Sequence, residues 1–324
     1  MVKGHSLLQS EAWQKLQTAI GEETFFESKK DYQFLAIKKS VPGGSYLYVP
    51  YGPYFESKEG AKSAREALEA LAESQGAYFI RIEPQDAESA SEWLKSCIKS
   101  KDLNPAETWR LDLTASEDEI LKNFSHTNRN LYRNYMKKGV EIKTSKNSDD
   151  LDAIINMQKE LAKIKKVDTF SKDYLTAELE QPFAILYTAV YHLADDKGES
   201  KREKPQDGTT LAASLFFDYD GVRYYMQSAA DERFKYYPAT PALLSTAIFD
   251  AKTKGLKYFD FWGIAPEGAS HDHPWYGFTE FKKSFGGFEV KYAGTYDYVL
   301  DQKKYKKYQL LRKINRIKRK IFNR

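Results

Sequence analysis

The stretch TTLAASLFFDYDGVRYYMQSAADERFKYYPATPALLSTAIFDAKTKGLKYFDFWG, Thr209–Gly263, carries the pattern that decides the fold. Thr209–Tyr219 and Arg223–Ala229 are rich in β-branched and aromatic residues and flank Asp220-Gly221, a two-residue signal for a tight hairpin turn. Pro241–Lys254 then follows a helical pattern that stops at Gly255, and Lys257–Trp262 is an apolar run suited to a buried strand. Strand, strand, helix, strand predicts an α/β unit with a mixed sheet.

Upstream, the same logic recurs. Leu7–Thr18 reads as an opening helix, and Tyr32–Lys38 and Ser45–Pro50 as strands joined by Pro42-Gly43-Gly44. Lys58–Ser74 places Ala61, Ala64, Leu68, Leu71 and Ala72 on one helical face and stops at Gly76, before a compact strand at Ala77–Glu83. Ala87–Ser100 reads as a further helix and Thr108–Leu113 as a strand. Glu117–Lys138 reads as one long helix capped by Thr114 or Ser116 and closed by Gly139. Beyond it come a strand at Val140–Thr144, helices at Asp149–Ile164 and Lys172–Glu180, a strand at Phe183–His192, and a polar excursion over Ala194–Asp207. The expectation is two α/β domains with mixed sheets sharing a cleft, residues 1–145 and 146–300, followed by a basic helix over 301–324.

The chain's 324 residues exceed what one core usually holds, and 41% hydrophobic residues with 23 Tyr and 19 Phe exclude a disordered chain. Cys97 is the single cysteine, which rules out an internal disulfide and Cys-based zinc patterns. No secretory signal or spanning segment is legible, so a cytoplasmic protein is expected. The net charge of +4 is uneven: Lys303–Arg324 holds eleven Lys or Arg and no acid, leaving −7 for the rest. That tail, with Tyr305, Leu310, Leu311, Ile314, Ile317 and Ile321 at helical spacing, suits tRNA phosphates or an anionic membrane face, or docks on the body by its apolar stripe.

Dinucleotide, phosphate-loop, nucleophile-elbow and HExxH signatures are missing. His271-Asp272-His273 is a weak metal candidate, and no metal is expected. The long helix presents Lys122, Arg129, Arg133, Lys137 and Lys138, a pattern that is usually a solvated face. The remaining candidates sit at strand ends. Tyr51-Gly52-Pro53-Tyr54-Phe55-Glu56 follows a strand, with Tyr51 and Glu56 expected at the sheet edge. Asp260-Phe261-Trp262-Gly263 ends the buried strand, and Phe281-Lys282-Lys283-Ser284-Phe285-Gly286-Gly287 spans a helix and its stop.

Taken in order, several segments resemble the FemABX family of peptidoglycan peptidyltransferases. They are Gln9-Ser10-Glu11-Ala12-Trp13, Tyr51-Gly52-Pro53, Thr127–Arg133 running into Lys138-Gly139-Val140, Tyr258–Gly263, Phe281–Gly287 and Gly294–Leu300. The resemblance implies a pair of domains like the acetyltransferase (GNAT) fold and no acetyl-CoA. It implies a charged tRNA as co-substrate donor and, as acceptor, a UDP-linked muramoyl pentapeptide or its lipid-linked form. The absence of a heptad-rich arm is similar to the short FemX type. Residue by residue, it implies Lys282, beside Phe281, as the cation acting on the developing oxyanion or the terminal ribose and phosphate, with Lys283 the adjacent alternative. Tyr51 and Glu56 match stem-peptide positions, Lys172 a diphosphate contact where an Arg is usual, Lys15 a second nucleotide contact, and Tyr225 a tyrosine of the acceptor pocket. Gln227 replaces a second tyrosine there. Competing readings are an acyl-CoA-dependent N-acetyltransferase, an RNA-binding protein using the tail, and an aminoacyl-tRNA-protein transferase. Arg233–Ala239 lacks the glycines that a CoA diphosphate loop needs.

Overall fold

The computed structural model describes residues 6–165, 169–193, 203–273 and 275–322, with backbone alone for 164–165 and 315–322. The strands are β1 (Glu23–Ser28), β2 (Tyr32–Val41), β3 (Gly44–Val49), β4 (Tyr54–Phe55), β5 (Ala77–Ile82), β6 (Ile98–Lys99) and β7 (Glu107–Asp112), then β8 (Val140–Ser145), β9 (Ala184–Tyr191), β10 (Thr210–Tyr219), β11 (Val222–Ala230), β12 (Tyr258–Gly263), β13 (Phe288–Lys291) and β14 (Tyr296–Val299). The helices are α1 (Glu11–Ala19), α2 (Lys58–Ser74), α3 (Ser91–Lys95), α4 (Glu117–Asn123), α5 (His126–Asn134), α6 (Leu151–Lys165), α7 (Lys172–Leu179), α8 (Ala239–Thr253), α9 (Tyr276–Lys283) and α10 (Gln302–Phe322).

The chain is α/β, with two mixed sheets in two compact units. Residues 1–106 and 291–324 form one, and 107–290 the other. This corrects the expected boundaries at 145 and 300. Strand β7 pairs with β12 and strand β14 with β5, so residues 107–145 belong to the second sheet and residues 291–300 to the first. The basic helix α10 belongs to the first unit and is no separate body.

The two sheets repeat one plan. The first runs β1-β2-β3-β5-β14-β6, the second β8-β9-β10-β11-β12-β7-β13. In each, a three-strand meander is followed by a helix and then by a strand parallel to the meander's last: β3 with β5 through α2, and β11 with β12 through α8. The next position is filled antiparallel by a strand from elsewhere in the chain. A buried, directly cross-strand Arg–Asp pair clamps that outside strand in both sheets. Arg81 of β5 holds Asp297 of β14 at 2.7 Å, and Arg110 of β7 holds Asp260 of β12 at 2.8 Å. The donor and acceptor strands are exchanged between the two units.

Local chemistry explains the departures from expectation. The long helix breaks because Phe124 turns extended and buries its ring against Phe285, 5.1 Å between centroids, while Ser125 caps a new helix by accepting the Asn128 N–H. Arg129 spends its guanidinium on the carbonyls of Lys122 and Phe124, at 2.7 and 2.6 Å, so it caps α4 as well as carrying surface charge. The helix expected over Ala87–Ser100 shortens to Ser91–Lys95 because Ile98–Lys99 pairs with β14. The Asp220-Gly221 turn takes positive φ at both residues, +46° and +75°, as a tight hairpin requires. The Cys97 thiol is half-buried and pushed up to about 12 by burial, which leaves it inert at neutral pH. The excursion expected at Ala194–Asp207 lies outside the described residues up to 202.

One face of the first sheet packs on α2 through Phe34, Leu47, Ile80, Ala64 and Leu68. Its other face carries α10, whose Tyr305 and Tyr308 rings sit 5.2 and 5.1 Å from Phe79. Tyr305 also donates its hydroxyl to Asp297 at 2.8 Å, tying that helix to the first clamp.

Candidate functional site

In the second unit, β11 and β12 pair over three residues only, Val222–Tyr224 against Tyr258–Asp260, although both strands continue beyond. They part where Tyr225–Ser228 and Phe261–Gly263 follow. On its other flank β12 loses register against β7 between Asp260 and Gly263, and Trp262 takes φ +65°, a conformation bulky residues rarely adopt. The carboxylate of Asp260 accounts for it. Its Oδ1 accepts the Trp262 N–H at 2.8 Å, while Oδ2 accepts the Thr108 hydroxyl at 3.3 Å and the Arg110 guanidinium at 2.8 and 3.1 Å. A single buried acid therefore clamps β7 and bends the end of β12.

Helix α9 runs past that bend. The Thr279 hydroxyl accepts the Ala265 N–H and donates to the Trp275 carbonyl, at 2.8 and 2.9 Å, which fixes the helix to the chain leaving β12. Lys282 is partly buried and donates its ammonium to the Gly263 carbonyl at 2.5 Å. Burial lowers its pKa to about 8, and the Asp260 carboxylate works in the opposite direction without cancelling that loss. Lys283 differs in kind: it is exposed and lies over the Trp109 ring at 5.3 Å, beside an open depression of about 200 Å³ that also takes in Pro266, Tyr276, Glu280 and Glu289. Phe281 packs its ring edgewise on Phe285 at 5.4 Å and against the core, a position that seats α9.

The sequence segments that were widely separated meet here. Asn128 donates to the Ser284 hydroxyl at 2.7 Å, and the Ser125 N–H to the Ser284 carbonyl at 2.7 Å. A Cβ at Gly287, φ +107°, would lie 2.4 Å from the Arg110 carbonyl, so the Gly286-Gly287 stop is required for α9 to approach β7.

Of the other expected site residues, Lys15, Tyr51 and Glu56 belong to the first unit. Tyr51 is buried in the turn after β3 and not at a sheet edge, since β3 lies between β2 and β5. Its φ is +46°; its hydroxyl donates to the Pro105 carbonyl at 2.8 Å and its ring lies 4.8 Å from Tyr292. A residue that sequence reasoning missed, Glu83, holds this turn. Buried at the end of β5, it accepts from Tyr48, Tyr51, Asn104 and Thr295. Gln9 supports it from the other side. The Gln9 amide bonds to the Pro50 and Leu35 carbonyls and to the Leu35 N–H, and a Cβ at Gly52 would fall within 2.3–2.8 Å of it. That contact is why the Gln9–Trp13 and Tyr51–Pro53 segments occur together. Glu56 and Lys15 are exposed, Glu56 with the Tyr54 hydroxyl at 3.4 Å.

In the second unit, Lys172 opens α7, exposed and paired with Asp152 at 2.7 Å. Tyr225 stacks on Phe216 at 5.5 Å and donates to the Ser228 hydroxyl at 2.6 Å; burial raises its pKa. His271 lies against Tyr276, and the His273 Nδ1 accepts the Trp275 N–H at 3.1 Å. Among the described residues no group of three or more His, Cys, Asp or Glu could hold a metal, and no helix is long and apolar enough to cross a membrane.

Glu178 of α7 was also missed. It is fully buried, neither oxygen has a hydrogen-bond partner, and burial lifts its pKa to about 8, partly offset by Tyr174 and Gln227 nearby. A raised folded-state carboxyl contributes stability that is present at low pH and lost as pH rises through the folded value. Glu178→Gln is therefore expected to match the parent's thermal midpoint near pH 5 and to exceed it increasingly from pH 6 to 9. Parallel midpoints across that range, by calorimetry, would contradict a neutral Glu178.

A sequence profile of the FemAB family matches residues 186–313, which takes in β10–β12, α8, α9 and β14. Lipid II:glycine glycyltransferase of Staphylococcus epidermidis is 19% identical, covering 90% of this chain and 85% of that protein. Its namesake of Staphylococcus aureus (strain MRSA252) is also 19% identical, covering 90% and 86%. The crystal structure of FemX superposes with a TM-score of 0.80 at 19% identity, covering 94% of each chain, a likeness of fold. The profile rests on the strands and helix that build the Lys282 region, and the fold is shared with FemX from end to end, so the chain is similar to the FemAB family in sequence over residues 186–313 and to FemX in fold throughout.

Proposed function

We propose that the protein transfers an amino acid from an aminoacyl-tRNA to a stem-peptide amine of a peptidoglycan precursor, lipid II or the UDP-linked muramoyl pentapeptide. The observation that carries this reading is the Lys282 ammonium, fixed on the Gly263 carbonyl at the point where β11 and β12 part. The names of the staphylococcal relatives, lipid II:glycine glycyltransferases, support the acceptor class. A tRNA donor places the reaction in the cytoplasm.

An aminoacyl ester is already activated, so position and charge stabilisation suffice. The acceptor amine attacks the ester carbonyl, the C–N bond forms and an oxyanion develops. As it collapses, the C–O bond breaks, the ribose oxygen leaves with a proton, and the amine loses one. A lysine with pKa about 8 is suited to both needs: it is mostly cationic at neutral pH and can still release its proton to the leaving oxygen. Lys15, Glu56 and Lys172 are exposed and free to meet charged acceptor groups, Lys172 once it leaves Asp152. Tyr51 and Tyr225 have their hydroxyls committed internally, so they act in this account through their rings and the strand ends they shape.

The donor is tested by incubating the chain with lipid II and tRNA charged with alanine, serine or glycine. The expected product is a stem peptide heavier by one aminoacyl residue, absent when the donor is treated with ribonuclease before mixing. Transfer from acetyl-CoA in its place would move the assignment to an N-acetyltransferase.

A further inference from the structure

We propose that α10 is an interfacial helix that lays its outward face on an anionic lipid bilayer. The sequence left this tail three roles, tRNA phosphates, an anionic membrane face, or docking by an apolar stripe of Tyr305, Leu310, Leu311, Ile314, Ile317 and Ile321. Docking falls to Tyr305, together with Tyr308, both buried against Tyr46, Tyr78 and Phe79, with Arg312 over the Tyr308 ring at 5.5 Å. At 100° per residue, Leu310 and Ile314 fall on the opposite side of the helix from those tyrosines. They are 58% and 38% exposed. The sequence continues the same spacing with Ile317 and Ile321.

Cations surround this stripe. Lys303, Lys306, Lys307 and Lys313 are exposed, and no Asp or Glu occurs from 302 to 324. An apolar face flanked by Lys and Arg is the composition that sits at a headgroup boundary, where apolar burial and attraction to anionic lipid act together. The alternatives fit less well. RNA phosphates would use the cations and leave Leu310 and Ile314 in water. A second copy of this chain would cover the apolar stripe only by bringing two rows of like charge together.

The test is sedimentation of the full chain with vesicles of phosphatidylglycerol and phosphatidylcholine in equal parts, against phosphatidylcholine alone. The chain is expected to pellet with the anionic vesicles and remain in solution with the neutral ones. Leu310→Asp with Ile314→Asp is expected to weaken partitioning by about tenfold or more, with an unchanged thermal midpoint because both positions are exposed. Lys303, Lys306 and Lys307→Gln together should weaken it comparably, and raising salt to about 0.5 M should do the same. The proposal is overturned by equal pelleting with neutral vesicles, by parental pelleting of the double Asp variant, or by absence of vesicle binding. It is equally overturned if the Asp variant loses self-association or RNA capture while vesicle binding is unchanged. Vesicle binding needs no turnover, so its failure leaves the transferase reading standing.

Discussion

Asp260→Ala is expected to destabilise the protein by about 3–5 kcal/mol, the usual cost of breaking a buried ion pair by removing one member. The Arg110 guanidinium would lose its two bonds to the Asp260 carboxylate, and the Trp262 N–H would lose the oxygen that holds its left-handed turn. Chemical denaturation of the single variant measures the first effect. The double replacement Arg110→Met with Asp260→Leu removes both charges and is expected to recover most of that loss, because a buried pair is often no more stabilising than apolar residues of similar volume. Recovery of stability should not bring back transfer, since the bend at Trp262 that sets Gly263 before Lys282 stays unsupported. A double variant with parental activity would show that Asp260 serves only as a clamp.

Lys282→Ala is expected to lower single-turnover transfer by about 10²–10³, the range found when one oxyanion donor is removed. The fold should tolerate the change, because removing a partly buried ammonium opens little apolar space and relieves the desolvation that lowers its pKa. The pH dependence carries a sign. With its pKa lowered to about 8, the ammonium is lost as pH rises through that value, so parental transfer should decline on the alkaline side. Lys282→Arg keeps the charge at every accessible pH; it should restore part of the rate and abolish that decline. Loss of rate in Lys283→Ala, with Lys282→Ala unaffected, would hand the role to the lysine over Trp109.

Much of the fold was legible because its signals are local. Helix α2 begins at Ser57, whose side chain accepts the Gly60 N–H, and ends before Gly76 at φ +63°, as its pattern predicted. The Asp220-Gly221 hairpin was equally plain. What failed was long-range or competitive. Phe124 and Ser125 sit within a helical pattern, yet burial of the ring and a new cap win over helix continuity. Strand β1, Glu23–Ser28, went unread because its ends are exposed acids and serine with no clean alternation. The unit boundaries could not be read because they depend on β7 and β14 crossing to distant partners, and a pairing such as Arg110 with Asp260, 150 residues apart, leaves no local trace. One signal was available: a lone charge within an apolar strand, Arg81 in YFIRI, Asp260 in YFDFW and Asp297 in TYDYV, marks a strand whose charge must be paired inside. The candidate site divides the same way. Lys282 came from a family resemblance in a contiguous segment, whereas Glu83 and Gln9 act through partners the sequence does not juxtapose, and Glu178 is set apart by a burial that the sequence does not mark.

The proposed transferase activity is tested most directly by transfer of a radiolabelled amino acid from charged tRNA to lipid II and, in parallel, to the UDP-linked muramoyl pentapeptide. The expected result is label in the stem peptide of at least one acceptor, dependent on Lys282. Label in neither, with alanyl-, seryl- and glycyl-tRNA all active in controls, would contradict a cell-wall aminoacyltransferase and move the reading to a transferase acting on protein N-termini.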